Sequence, residues 1–186
     1  SDQMKPVALD RLAAQRYLYS KAKKIQAWQF ALGVPCVAVW TLLVFAFPSL
    51  KVWGAMWGGF VAILDPLLFY RWQQSLKQQA AKIQELFDCE VLQLEWRELK
   101  VGRLPDAESV ADASAKYKRK HKDYSALQDW YPVSVGSLSL HLGRIVCQRA
   151  NCWWDSKLRR RYAIGVIATV SILSAFVFII GLIGGL

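Results

Sequence analysis

The sequence predicts an all-α membrane protein: a transmembrane helical hairpin, a third transmembrane helix, and a mostly helical cytoplasmic insertion between them. Three observations lead there. Of 186 residues, 54% are hydrophobic, yet the formal net charge is +10. That pairing suits lipid-embedded helices with basic flanks better than a soluble enzyme. Three runs almost free of charge approach or exceed the roughly 20 residues that cross a hydrocarbon core of about 30 Å. Finally, the cations gather on one side of those runs.

Taken in order, Ser1–Gln3 precede Met4 without signal-peptide character and are left out of the fold reasoning. Residues 1–29 are expected to form a cytoplasmic amphipathic helix. Its cations are Lys5, Arg11, Arg16, Lys21, Lys23 and Lys24, against Asp2 and Asp10. The first span is residues 30–47, "FALGVPCVAVWTLLVFAF"; the second is residues 52–70, "VWGAMWGGFVAILDPLLFY", with Asp65 its only charge. The short "PSLK" between them makes a tight hairpin, residues 30–70. No polar stripe marks either run, which excludes the half-buried helix of a soluble fold. Residues 71–162 form the basic cytoplasmic region and 163–186 the third span, "AIGVIATVSILSAFVFIIGLIGGL". The hairpin loop holds only Lys51, so its tip faces outward and the N-terminus and middle region face the cytoplasm. A further span returning inward is expected after "GLIGGL", where no polar tail follows.

Within the middle region, Leu68, Trp72, Leu76, Ala80, Ile83 and Phe87 recur at helical steps. That stripe meets another helix of the same chain or another protomer. "CEVLQLEW" reads as a short strand or an extended link. "LPDAESVADASAKYK" opens with helix-start signals, and "SLSLHLGRIVCQR" reads as a further helix. Asn151 is placed to cap a final helix starting at Trp153.

No glycine-rich phosphate loop, nucleophile elbow or paired catalytic carboxylate occurs, and neither His121 nor His141 has ligand spacing. Cys36, Cys89, Cys147 and Cys152 are irregularly spaced, which argues against a disulfide framework or zinc site. Thus no enzyme activity, cofactor or metal is expected. The features left are those of a membrane protein. Trp153, Trp154 and Tyr162 fit an interfacial aromatic belt, and Arg159, Arg160 and Arg161 anchor the third span, with anionic lipid heads as a further partner. This reading is preferred over a DNA or RNA grip. Gly54 with Gly58, and Gly181 with Gly185, have the spacing for close helix packing. Pro35 and Pro66 are positioned to kink their helices. A carboxylate within a span is costly; Asp65 is therefore expected to line or gate a pore, or to pair with Arg71 or another basic residue. Lys118, Arg119, Lys120, Arg144 and Arg149 are the candidate contacts for an anion.

Four stretches taken together resemble one family. They are "RLAAQRYLYSKAKKIQ", "AAKIQELFDCEVLQLEW", "DWYP" and "RIVCQRANCWWDSKLRRRYA". They are similar to the SMODS-associated four-transmembrane (S-4TM) effectors of bacterial anti-phage defence loci of the CBASS type. The resemblance implies a homo-oligomeric pore-forming effector in the bacterial inner membrane. It would be activated by a cyclic oligonucleotide from a cGAS-like nucleotidyltransferase and would disrupt the membrane in abortive infection. It also implies a fourth span, absent from this sequence. The other reading is a non-pore scaffold or transporter subunit whose basic region recruits a soluble partner or anionic lipid.

Overall fold

A computed structural model describes residues 2–121 and 123–183. They are helical, with no strand among them. The helices are α1 (Pro6–Gly33), α2 (Pro35–Ala46), α3 (Lys51–Leu64), α4 (Tyr70–Val91), α5 (Glu98–Val101), α6 (Ala107–Lys120) and α7 (Leu140–Ile183). The chain divides into two compact units. One comprises Ser1–Ile25 and Tyr70–Ala150; the other comprises Gln26–Phe69 and Asn151–Leu186.

The first unit owes its core to α1 lying against α4. Leu9, Leu12, Ala13, Leu18, Ala22 and Ile25 are buried on α1, and Leu76, Ala80, Ile83 and Phe87 on α4. Ala13, Ala22 and Ala80 are buried among them. Arg11 pairs with Glu90, Gln15 donates to Gln84 at 3.0 Å, and the Lys21 ammonium lies 5.4 Å from the Trp72 ring centre. The two helices are therefore antiparallel, and the sequence stripe finds its partner within the chain. Its N-terminal end does not join the core: Leu68 and Trp72 are exposed.

Phe87 is fully buried, stacked on Tyr131 and meeting Trp130 edge-on. The "DWYP" segment is thereby fixed to α4. Gln3 fixes its other side, for its side-chain amide donates to the Tyr131 carbonyl at 3.1 Å and accepts from the Tyr131 N–H at 2.9 Å. This corrects the omission of Ser1–Gln3, since Gln3 is 5% exposed and holds a core residue by both backbone groups. The Tyr131 hydroxyl donates to Asp88 at 2.6 Å, and burial pushes the Asp88 carboxyl up to about 6 despite that bond.

"CEVLQLEW" forms the end of α4, a turn and an extended link rather than a strand. Asn151 is another correction: α7 runs unbroken through it, so it lies inside a helix and caps none. No proline falls between Leu140 and the apolar run, and Gly143 lies in the first turn of α7, so helix propagation simply continues.

In the second unit, α2 and α3 form the hairpin, joined through a 3-10 turn at Pro48–Leu50. Its apolar windows, like that of α7, have no buried residue, and all three helical stretches are long and apolar enough to cross a membrane. The chain is a membrane protein.

Truncating Phe87 should cost about 3–5 kcal/mol, the usual loss for a buried aromatic. Phe87→Ala should accordingly lower the melting transition of the first unit, followed by near-UV circular dichroism in detergent. Leu99→Ala, at a fully exposed position, should leave it unchanged. The raised Asp88 pKa sets a pH dependence as well. Between about 4 and 6 the folded state binds the proton and the unfolded state releases it, so stability falls as pH rises through that window, by up to about 3 kcal/mol. Asp88→Asn keeps an acceptor for Tyr131 without the buried charge. It should flatten the profile and raise stability at pH 7; an unchanged slope would show that another group sets it.

Candidate functional site

The hairpin is broken twice. Pro35 has no N–H to give the carbonyl of Ala31, and α1 gives way to α2 at Val34, the helix ladder resuming with Ala38 N–H to the Val34 carbonyl at 3.0 Å. On the other arm Pro66 cannot serve the carbonyl of Ala62, and the helix widens into a π turn over Asp65–Phe69. The two breaks meet around one cavity of about 170 Å³, lined by Gln29, Leu32, Gly33, Val61, Asp65 and Phe69 among others. Gln29 donates to Asp65 Oδ1 across it at 2.5 Å. The sequence suggested Arg71 as a partner for Asp65; the structure supplies Gln29, an uncharged donor from α1. No local pattern marks that pair, which depends on how the hairpin folds back on α1.

The packing glycines differ among themselves. A Cβ on Gly54 would lie 3.3 Å from Val44 and 3.8 Å from Trp40, so this glycine is where α3 approaches α2. A Cβ on Gly58 would meet nothing within 4 Å. Gly181 lies in the last turn of α7, and Gly185 falls outside the described residues.

The residues expected at the membrane interface all sit on α7. Trp153 and Trp154 contact each other edge-on, with the Lys157 ammonium 4.5 and 5.2 Å from their ring centres. Arg159 pairs with Asp155 at 2.8 Å, and Tyr162 accepts from Gln26 at 2.5 Å. Arg160 and Arg161 are exposed and have no ion pair among the described residues.

The candidate anion contacts are not brought together as a set. Lys118 pairs with Asp10 at 3.0 Å, beside the Ser114 and Tyr124 hydroxyls that donate to the same carboxylate. Burial pushes the Asp10 carboxyl up, but those hydrogen bonds and Lys118 outweigh it and hold its pKa below the ordinary value. Arg144 donates through Nε to the Leu92 carbonyl at 2.7 Å and through Nη2 to that of Gln93. It thereby pins the turn after α4, where Gln93 has φ of 52°. It borders a cavity of about 370 Å³ with Tyr131, Val135 and Cys147. Arg119, Lys120 and Arg149 are exposed. Lys24 was not among the candidates, yet it stands beside Lys120 and holds that lysine's pKa below the ordinary value. Among the described residues, no cluster of three or more His, Cys, Asp or Glu side chains has the geometry to hold a metal ion.

If Gln29 and Asp65 hold the two arms together, their effects on hairpin stability must be coupled. A double-mutant cycle of Gln29→Ala and Asp65→Ala, read by thermal unfolding in a bilayer mimic, should give about 1 kcal/mol. Simple additivity would show that the contact contributes nothing to the fold.

A family model for the SMODS-associating 4TM effector domain matches residues 1–186. A probable CBASS effector molecule from Bacillus cereus is 26% identical over 178 residues, which is 92% of this chain. The chain spans 58% of the length of that relative. No solved structure matches. With the family model covering every residue, the chain belongs to the SMODS-associating 4TM effectors, a family of membrane effector domains.

Proposed function

We propose that this chain belongs to a membrane-embedded, oligomeric, pore-forming effector, opened by a cyclic oligonucleotide and disrupting the inner membrane in anti-phage defence. Family membership carries this reading. The relative named as a probable CBASS effector supports it. A hairpin broken on both arms around a carboxylate is the local feature that suits a gate. Three spans enclose too little space for an aqueous path, so protomers must assemble. The N-terminal segment and residues 71–162 face the cytoplasm, where an anionic messenger would meet their cations. Arg119, Lys120 and Arg149 are the exposed members of the anion-contact set, whereas Lys118 and Arg144 already hold protein partners. Arg159, Arg160 and Arg161 anchor α7 at the headgroups. Gly54 serves packing within the hairpin, while Gly58 is left for contact between protomers.

Activation has a thermodynamic requirement. The messenger must bind the open assembly more tightly than the closed one, because equal affinity shifts nothing. Asp65 and Gln29 belong to the element whose equilibrium it would bias.

The full-length protein in dye-loaded liposomes tests this directly. A panel of cyclic di- and trinucleotides should include one that triggers leakage, and Asp65→Asn should change single-channel conductance or gating. A scaffold or transporter subunit would release no dye with any nucleotide. Unchanged permeation and gating in Asp65→Asn would remove that residue from the gate.

A further inference from the structure

The first unit contains a cavity of about 370 Å³. That volume falls within the roughly 300–1,000 Å³ of ordinary small-molecule sites. One wall is the start of α7, where Leu140, Gly143, Arg144 and Cys147 share a helix face. The other includes the 3-10 turn Val133–Ser137. The two walls meet closely, for a Cβ on Gly143 would lie 3.2 Å from Val135 Cγ1. Tyr131 and Cys147, 4% and 1% exposed, belong to the core and line the cavity from there. Val133, Leu138 and Leu140 line it too, and all three are apolar side chains left exposed.

The electrostatics of this cavity favour an anion. Arg144 gives its Nε–H and one N–H of Nη2 to the carbonyls of Leu92 and Gln93. That leaves both N–H groups of Nη1, and a second on Nη2, without an acceptor among the described residues. The carbonyls orient the guanidinium without neutralising it, and the remaining donors form the fork that a phosphate takes bidentately. The first bond of the α7 ladder runs from Gly143 N–H to the Ser139 carbonyl at 2.9 Å. The N–H groups of Leu140, His141 and Leu142 stand ahead of it, at the positive end of the helix dipole. Two carboxylates adjoin the cavity. Asp2 lines it and pairs with Lys5 at 2.8 Å, and Asp88 accepts from the Tyr131 hydroxyl at 2.6 Å.

We propose that this cavity binds a small organic phosphate. The phosphate takes the remaining donors of Arg144 at the start of α7, and an apolar or aromatic body lies against Tyr131, Val133, Val135 and Leu138. A nucleotide and a single-chain phospholipid share that chemistry. With a nucleotide as the ligand, the site rests on the function proposed above and supplies its trigger. α7 runs unbroken from this cavity to Ile183, so the ligand bears on the helix that enters the membrane.

The test uses the full-length protein in phosphatidylcholine nanodiscs. Probes are inorganic phosphate, AMP, GMP, the cyclic di- and trinucleotide panel, and lysophosphatidic acid. Affinity is read by calorimetry, and occupancy by the rate at which N-ethylmaleimide modifies each cysteine, resolved by peptide mass spectrometry. Cys147 lines the cavity, whereas Cys152 is exposed further along the same helix and serves as the internal reference. At least one organic phosphate should slow modification of Cys147 by about tenfold or more at saturation and leave Cys152 unchanged. Inorganic phosphate, which lacks the apolar body, should bind at least about tenfold more weakly. Arg144→Lys keeps the charge without the fork and should weaken binding by about tenfold or more. Gly136→Trp adds bulk to the lining where a Cβ would meet nothing within 4 Å, so it should abolish binding at an unchanged melting temperature. Lys100→Ala, exposed and outside the cavity, should weaken binding by less than about twofold.

The site is overturned if no organic phosphate protects Cys147, if inorganic phosphate binds as tightly, or if Lys100→Ala loses as much as Arg144→Lys. Wild-type affinity in Arg144→Lys or in Gly136→Trp also overturns it; should Arg144→Lys fail to fold, Gly136→Trp decides. Nucleotide-triggered leakage with Cys147 unprotected by any probe overturns the site and leaves activation by nucleotide standing. Protection by lysophosphatidic acid, with no nucleotide ever causing leakage, supports the site and removes nucleotide activation.

Discussion

Apolar helix surface that nothing else in the chain covers is the constraint to which the other features answer. None of the three spanning windows has a buried residue, and their exposed side chains include Phe45, Trp53, Phe60, Ile172 and Phe178. In water such surface would drive aggregation. In hydrocarbon it is solvated, and the backbone must then satisfy its own hydrogen bonds, which a helix does internally. The few polar side chains in the spans follow the same rule. Thr41 donates to the Val37 carbonyl and Thr169 to that of Gly165, each one turn back, at 2.9 Å.

Against that background, breaks in a helix carry information. Proline in a span removes an N–H where water cannot replace it, so such breaks are retained where neighbouring groups fill the gap. Here they fall on both arms of the hairpin and share one cavity with a carboxylate and an amide. The first unit follows the opposite economy. Its long-range polar bonds link segments distant in sequence: Gln3 with Tyr131, Tyr131 with Asp88, and Arg144 with the carbonyls after α4. These bonds explain how the "DWYP" link, too short to fold alone, is held, while Ser114 at Asp10 and the buried Tyr117 hold α6.

How much of this was legible beforehand depended on the range of the interaction. The spans are local composition and could be read directly. So could the stripe from Leu76 to Phe87, whose periodicity states that a partner exists without naming α1. The unread parts are side-chain contacts across long separations. Nothing near Asp65 indicates Gln29, and nothing near Asp10 indicates Lys118, Ser114 and Tyr124. Asn151 misled because a good capping residue inside a strong helical pattern is simply carried along. Lys24 had a readable signal: the lack of any acid after Asp10 in α1 marks a surface with unbalanced charge.

The central claim is that the hairpin and the apolar half of α7 lie in lipid, with the basic unit on the cytoplasmic side. Impermeant thiol labelling in intact cells addresses it most directly. On a background with the four native cysteines replaced by alanine, Ser49→Cys at the hairpin tip should label without permeabilisation. Glu108→Cys on α6 should label only after it. Labelling of Glu108→Cys in intact cells, or protection of Ser49→Cys, would contradict the account.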